Sequence, residues 1–217
     1  ICCYEPAKYD KTFNPKKQMP LNILLNYDQE CNYKCIICRD KIVQNSDKEL
    51  ERLNNEVIPR ILPFISKVST ISFSGGDPLA SRHSRKLIKE VYKKNPNINI
   101  QFYTQGYYLD ENNMKELGIN KIERVSISIH SATRKTYEKI MRMDAFDIIM
   151  KNLEFVSEWK RQGKTDNIQI NFAVFSMNYK EMKAFVNLAE KYDAVAHFWT
   201  YKPYTSAELH KRYKEVA

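Results

Sequence analysis

Three cysteines stand within eight residues of this sequence, at Cys31, Cys35 and Cys38, in a CxxxCxxC spacing. Cysteine thiolates hold iron–sulfur clusters, and a cubane cluster normally takes four of them. Because no neighbouring cysteine supplies a fourth ligand, a cubane on these three would keep one iron open to another ligand. An open iron is a place where chemistry can occur.

The cysteines also leave two other interpretations open. A structural zinc ion usually takes four ligands, as paired CxxC or Cys and His, and neither His83 nor His130 stands at a recognisable finger spacing. Three buried structural thiols are the second alternative. Of the remaining cysteines, Cys2 and Cys3 are either the last ligands of an auxiliary cluster or two ordinary thiols near a chain end.

The CxxxCxxC spacing resembles the signature of the radical S-adenosylmethionine (SAM) enzymes, and the stretch 126–142 resembles their subgroup with a SPASM or twitch extension. In that family the open iron of a [4Fe-4S] cluster chelates the amino and carboxylate groups of SAM. The reduced cluster then cleaves SAM to a 5'-deoxyadenosyl radical. The resemblance therefore implies an oxygen-sensitive enzyme that abstracts hydrogen from a substrate, with an electron donor such as flavodoxin or ferredoxin.

The resemblance also implies which residues touch SAM. The stretch 74–78, Ser-Gly-Gly-Asp-Pro, looks like the family's GGE-type motif, whose backbone carbonyls and acid receive the SAM ammonium. Ile37 stands where the family usually has an aromatic residue on the adenine side. Ser126 and Ser128 would face the SAM ribose or carboxylate, and Arg142 would pair with the carboxylate. The complete set of implied contacts is Ile37, Ser74, Gly75, Gly76, Asp77, Ser126, Ser128, Arg142 and Asn171.

Each of these positions also has an ordinary structural interpretation. A Gly-Gly-Asp-Pro sequence is commonly a turn, and Arg142 could be an exposed charge at a helix end. Asn171, His197 and Trp199 share an inward parity if Ile170 and Phe198 face the helices. They would then contact adenine or substrate, or fill the barrel.

Apolar periodicity predicts about six strand–helix units. A short apolar run at 21–27 favours a first strand buried on both faces. Helical spacing begins at Asp47, and Pro59 and Pro63 predict a kink or two shorter pieces. The predicted strands are 21–27, 70–73, 98–103, 124–129, 168–174 and 194–200, and the predicted helices are 47–65, 81–94, 110–117, one after Asp144 and 179–192.

This alternation predicts an α/β fold with a parallel sheet, because the connecting helices are long enough for right-handed crossovers. A doubly wound sheet and a barrel both fit the order. The resemblance favours an open (βα)6 partial TIM barrel, with parallel strands inside and helices outside. We expect one core domain at 20–217, preceded by an irregular lead-in at 1–19 that could be the end of a truncated accessory region.

Composition restricts the remaining function classes. The net charge of +9 attracts polyanions, but lysine and arginine are spread along the chain, which favours a solvated basic surface over a nucleic-acid site. No apolar run approaches the roughly 18 residues of a membrane span, and no secretory leader is apparent. Five cysteines, an odd number, favour a reducing, cytoplasmic setting.

The substrate suggested by the resemblance is a peptide or protein, with a carbohydrate or other small molecule as the alternative. Two rival functions stay open. One is an iron–sulfur module that transfers electrons or binds without cleaving SAM, and the other is a radical SAM enzyme that modifies RNA.

Overall fold

Six parallel strands form one sheet in the computed structural model, which describes residues 22–200. The strands lie in sequence order, so each crossover brings the chain to the next position in the sheet. The strands are β1 (Asn22–Leu25), β2 (Thr70–Phe73), β3 (Asn99–Thr104), β4 (Ile122–Ser128), β5 (Thr165–Val174) and β6 (Val195–Thr200). The predicted α/β open (βα)6 partial barrel is confirmed.

The helices connect these strands and cover one face of the sheet. They are α1 (Asp47–Ile65), α2 (Arg82–Lys94), α3 (Glu111–Leu117), α4 (Arg134–Met141), α5 (Phe146–Arg161) and α6 (Met182–Lys191), which follows a 3-10 turn at Tyr179–Glu181. Four begin at a Ser, Asp or Thr whose side chain accepts the backbone N–H three residues on, which stabilises a helix start. Gly118 ends α3 in the left-handed conformation, as its sequence position predicts.

The two faces of the sheet differ in chemistry. The helix-facing side carries fully buried apolar residues such as Ile71, Ile100, Val125 and Ile170, which form the core with the helices. The concave side carries the alternate residues of each strand, and most of them are polar. The fold therefore has one apolar layer under the helices and a polar inner face.

Three details differ from the sequence-based expectations. The first strand is not buried on both faces, because β1 lies at the sheet edge and Leu24 is 63% exposed on the concave side. The α1 helix runs as one element through Pro59 and Pro63. Their rings lie on its solvent side, where the unpaired carbonyls can bind water. Helix α4 lies between β4 and α5, where no helix was predicted.

None of the helices in the described range is long and apolar enough to cross a membrane. The predicted lead-in at 1–19, with Cys2 and Cys3, lies outside the described residues.

Candidate cofactor site at the carboxyl edge of the sheet

The cysteine loop follows β1 at the carboxyl edge of the sheet, where parallel α/β folds gather their functional groups. An antiparallel bridge closes it, since the N–H of Cys31 donates to the Val43 carbonyl at 2.9 Å and the reverse bond is 3.3 Å. The N–H of Ile36 donates to the carbonyl of Ile140 in α4 at 2.9 Å. The loop is thus fixed at its base and at its tip.

The three thiols have the properties expected of cluster ligands. Cys31 and Cys35 are buried and Cys38 is exposed, and all three are free cysteines. Burial raises the pKa of Cys31 to about 11 and that of Cys35 to about 12, and the neighbouring cysteines add to both shifts. Bound iron would reverse this, because a coordinated thiol loses its proton.

The arrangement suits a cluster better than a single ion. Within residues 22–200, no three His, Cys, Asp or Glu side chains are placed to hold one metal ion together. A cubane does not need such convergence, because each cysteine binds a separate iron at its own corner. The three thiols lie on one short loop, in which the N–H of Cys38 donates to the Cys35 carbonyl at 3.0 Å, so they fit this group.

Arg39 places a positive charge against the thiols. Its Nε donates to Cys38 Sγ at 3.4 Å, and its Nη1 donates to the Gln29 carbonyl at 2.7 Å. Its charge lowers the pKa of Cys31 and Cys35 against the larger effect of burial. This guanidinium therefore favours negative charge at Cys31 and Cys35, and it donates directly to Cys38.

The glycine-rich loop after β2 packs directly on the segment that leads into Cys31. The N–H of Gly76 donates to the Asp28 carbonyl at 2.8 Å, and the N–H of Asp77 donates to the Glu30 carbonyl at 2.9 Å. A Cβ on Gly76 would lie 2.1 Å from the Glu30 carbonyl oxygen, so this contact requires glycine. The adjacent glycines let two backbones meet and fasten the predicted cofactor loop to the cysteine loop.

The side chain of Asp77, the expected acceptor of the SAM ammonium, is turned into the protein. The residue is 1% exposed. Its carboxylate accepts from Thr104 Oγ1 at 2.8 Å, from the N–H of Gln105 at 2.8 Å and from the N–H of Leu79 at 2.9 Å. Burial raises its pKa despite these bonds. The carboxylate therefore ties the ends of β2 and β3 together.

A pair of buried tyrosines connects the cysteine loop with α4. The hydroxyl oxygens of Tyr33 and Tyr137 lie 2.9 Å apart, and both side chains are almost fully buried. Tyr33 stands between two of the cysteines, so this bond holds the loop from within. Tyr137 was missed from sequence because α4 was not expected.

Asp28 is a second residue that the sequence did not single out. Its buried carboxylate accepts from Ser81 Oγ, from Ser84 Oγ at 2.9 Å and from Asn45 Nδ2 at 3.0 Å. These bonds lower its pKa against the effect of burial. Asp28 thereby joins the start of the cysteine loop to the first turn of α2, and no local motif reveals that contact.

Residues of β4, β5 and β6 meet on the concave face as their parity predicts. Asn171 Nδ2 donates to Ser126 Oγ at 2.8 Å, and Asn171 Oδ1 lies 3.2 Å from His197 Nδ1. Ile170 and Phe198 pack into the helix-facing core. The structure therefore brings Ser126, Asn171 and His197 together.

The other predicted contacts lie around this group. Ser128 is half-buried at the end of β4, opposite Asn171 in the register. Ile37 is half-buried in the cysteine loop, and Arg142 is exposed in the left-handed conformation that ends α4. Ser74 donates its N–H to the Leu25 carbonyl at 2.8 Å. Trp199 lies on β6 with its ring near His130.

His130 has a structural role at the end of β4. Its Nδ1 accepts the N–H of Ala173 at 3.0 Å, so the remaining ring proton is on Nε2. Asn178 donates to its carbonyl at 2.8 Å. Burial lowers the pKa of this imidazole to about 4. His130 is therefore neutral at physiological pH and belongs to the framework.

The sequence profile of the radical SAM superfamily matches residues 26–189. This range contains the three cysteines, the glycine-rich loop and strands β2 to β5. The chain belongs to the radical SAM superfamily. It is an enzyme of that class, and its cofactors are a [4Fe-4S] cluster and SAM.

Among curated proteins, the chain is similar to two enzymes that carry the same name. It is 26% identical over 198 residues to the probable GTP 3',8-cyclase of Thermoplasma volcanium, covering 89% of this chain and 57% of that protein. It is 24% identical over 162 residues to the probable GTP 3',8-cyclase of Saccharolobus solfataricus, covering 74% and 50%. The chain thus spans about half the length of these relatives.

Two solved structures share this fold, one of a radical SAM enzyme and one of a protein bound to S-adenosylmethionine. Coproporphyrinogen III oxidase (HemN) from Escherichia coli superposes with a TM-score of 0.64 at 14% identity, covering 92% of this chain and 47% of that one. Streptococcus suis SuiB bound to S-adenosylmethionine superposes with a TM-score of 0.60 at 17% identity, covering 91% and 47%. At these identities the likeness establishes the fold alone.

Proposed function

We propose that this chain positions a [4Fe-4S] cluster on Cys31, Cys35 and Cys38 for the reductive cleavage of SAM, so that hydrogen is abstracted from a substrate held over the concave face. When bound, the cluster and SAM supply a 5'-deoxyadenosyl radical, and methionine is the other product of the cleavage. One observation carries the proposal: backbone bonds of 2.8 and 2.9 Å fasten the glycine-rich loop to the segment entering the cysteine loop.

The protein's contribution is to hold these groups in place. Arg39 offers positive charge to the thiols, and Tyr33 with Tyr137 fixes the cysteine loop on α4. Because three donors already bond to the Asp77 carboxylate, the SAM ammonium needs acceptors besides it. The side-chain oxygens of Asn32 and Gln105 are buried and have no hydrogen-bond partner among residues 22–200. We infer that they, with the carbonyls of Ser74 and Gly75, receive the ammonium.

The other SAM contacts implied by sequence are part of the same proposal. Ser126, Ser128 and Asn171 lie where β4 and β5 reach the carboxyl edge, which supports contacts to the ribose or adenine. Arg142 ends the helix whose Ile140 carbonyl holds the tip of the cysteine loop, so its guanidinium can reach toward a cofactor there. Ile37 would contact the adenine from within the loop.

For the substrate we propose a small molecule. The sequence alone favoured a peptide or protein, but the relatives that match along most of this chain are named for a reaction of GTP. A peptide or protein substrate is therefore the second candidate. Anaerobic turnover with GTP, followed by mass spectrometry of the nucleotide, would support a cyclase if GTP is converted and would remove that candidate if GTP is recovered unchanged.

The cleavage itself is tested with anaerobically reconstituted protein, dithionite and SAM. We expect 5'-deoxyadenosine and methionine to form, and we expect Cys35→Ser to abolish both. Lys34→Ser is the matched control, because it changes an exposed residue of the same loop and keeps all three thiols. A protein that binds four irons yet forms no 5'-deoxyadenosine would be the rival iron–sulfur module.

Three further expectations belong to this proposal. Membership of the SPASM or twitch subgroup predicts more iron than one [4Fe-4S] cluster holds. If the iron content per chain falls in the Cys2→Ser, Cys3→Ser double variant, these cysteines belong to an auxiliary cluster. A flavodoxin or ferredoxin would replace dithionite in a cytoplasmic setting.

Salt-dependent retention of tRNA by the protein would favour RNA modification instead.

A further inference from the structure

The strand register places polar side chains in rows across the concave face. One row runs from β2 to β5 and consists of Ser72, Gln101, Arg124 and Asn167. The next row toward the carboxyl edge contains Tyr103, Ser126 and Gln169. Four neighbouring strands thus present a hydrophilic surface below the proposed SAM contacts, and that surface includes one guanidinium.

The position of Arg124 depends on a local break in the alternation of β4. In a regular strand, residues three apart face opposite sides of the sheet, yet Ile122 and Val125 are both fully buried. Glu123 and Arg124, between them, are both half-buried. Gln101 Nε2 donates to the Glu123 carboxylate at 2.9 Å. That carboxylate is therefore held by an amide of the neighbouring strand, and it forms no ion pair with Arg124.

The guanidinium of Arg124 is only partly satisfied. It donates one hydrogen bond, from Nη2 to Gln169 Oε1, and its Nε is buried without a hydrogen-bond partner among residues 22–200. Within the same range, no carboxylate pairs with Arg124. A cation that is partly removed from water, with an unused donor and no paired carboxylate among residues 22–200, favours an anion at that place.

Arg124 is linked to the proposed cofactor contacts by a short chain of amides. Gln169 accepts from Arg124 and donates from Nε2 to Asn171 Oδ1 at 2.7 Å. Asn171 in turn bonds Ser126. Beside this chain of amides, Tyr103 is 39% exposed on the same face. An anion on Arg124 would thus lie beneath the SAM-binding level, next to an aromatic surface.

We propose that Arg124 is the anchor for a phosphate or carboxylate group of the substrate on the concave face. The planar guanidinium fork matches both groups, and its unused Nε is one of the two donors that a bidentate contact needs. Gln169 orients the fork from the β5 side. This inference rests on the proposed function, because it identifies the substrate of that reaction as an anion.

The test measures anion binding by equilibrium dialysis of the full chain at fixed ionic strength, without reductant or SAM. Tripolyphosphate and citrate are the probes. Binding of tripolyphosphate would indicate a site for a phosphate group, and binding of citrate a site for a carboxylate group. We expect Arg124→Gln to weaken binding at least about tenfold, as loss of a charge-assisted hydrogen bond requires. Arg124→Lys should weaken it less, because it keeps the charge.

Arg52→Gln is the matched control, because it removes an equal charge from the exposed side of α1. Its binding should equal that of the wild type, which separates a site from general attraction to a basic protein. Failure of both probes to bind, or equal binding by Arg124→Gln, would overturn the inference. Since dialysis needs no SAM cleavage, loss of 5'-deoxyadenosine formation would refute the proposed function without affecting this result.

Discussion

Among residues 22–200, the hydroxyl groups of Tyr33 and Tyr137 bond to each other alone, so single and double substitutions should have different effects. Either single change to Phe leaves one buried hydroxyl unsatisfied and should lower the free energy of unfolding by about 1–3 kcal/mol. The double variant removes both groups and should be closer to the wild type. Urea unfolding of the three variants measures this, with the exposed Tyr179→Phe as control. Simple addition of the two single effects would refute the pairing.

Arg39 should set the reduction potential of the cluster. Hydrogen bonds and positive charge near the sulfurs favour the reduced state, which is the more negative one. We expect Arg39→Gln to lower the midpoint potential by about 60 mV, the one-electron equivalent of about 1.4 kcal/mol. An EPR-monitored redox titration measures the change. Lys34→Gln removes an exposed charge from the same loop and should shift the potential less. An unchanged midpoint in Arg39→Gln would contradict the contact.

His130 predicts a pH dependence of stability. Its pKa is about 4 in the folded protein and about 6.5 when unfolded, so the unfolded chain binds more protons between these values. The neutral ring makes its full contribution to the free energy of unfolding above pH 6.5. This contribution is lost as the pH falls toward 4, and the total loss is up to about 3 kcal/mol.

His130→Asn isolates this effect. Asparagine offers an acceptor oxygen to the Ala173 N–H and tolerates the left-handed backbone, where φ is 61°. Urea unfolding between pH 7 and 4.5 should show a weaker pH dependence in the variant than in the wild type. His83, whose pKa is also lowered by burial, is present in both proteins and cancels in the comparison. Equal slopes would show that His130 does not titrate in this range.

Among the structural elements, the glycine-rich loop carries the strictest steric requirement. In Gly76→Ala the new Cβ would lie 2.1 Å from the Glu30 carbonyl oxygen, so the cysteine loop must move. We expect a lower melting temperature and less iron retained after anaerobic reconstitution. Gly118→Ala is the control, because its Cβ meets nothing within 4 Å and costs only the strain of its φ of 74°. Comparable iron retention in both variants would refute the link between the two loops.

The strand elements show what periodicity can and cannot predict. The core faces of β2 to β6 were predictable because apolar residues alternate with polar ones, as Phe102 and Gln101 do in β3. The exposure of Leu24 was not predictable, because an apolar run looks the same in a central strand and in an edge strand. Helix α4 was missed because it has only 8 residues, fewer than the window in which an apolar period becomes clear.

At the scale of the whole molecule, the candidate site was predictable where local spacing determines the chemistry. The three cysteines and the two adjacent glycines are such cases. The hydrogen-bond partners of Asp77 and Asp28 were not predictable, because they come from other parts of the chain, Thr104 and Ser81 among them. Tertiary contacts alone decide whether a buried carboxylate faces a ligand or its own backbone.

The hydrophilic inner face has a thermodynamic consequence. A closed TIM barrel fills its interior with branched apolar side chains, whereas here Ser72, Gln101, Arg124 and Gln169 occupy the corresponding surface. Unfolding therefore exposes less hydrocarbon per residue than usual, and the heat-capacity increment should fall below the common value of about 12–15 cal/mol/K per residue. Differential scanning calorimetry of the metal-free protein would measure the heat-capacity increment. An increment at or above the common value would mean that apolar groups cover this side of the sheet.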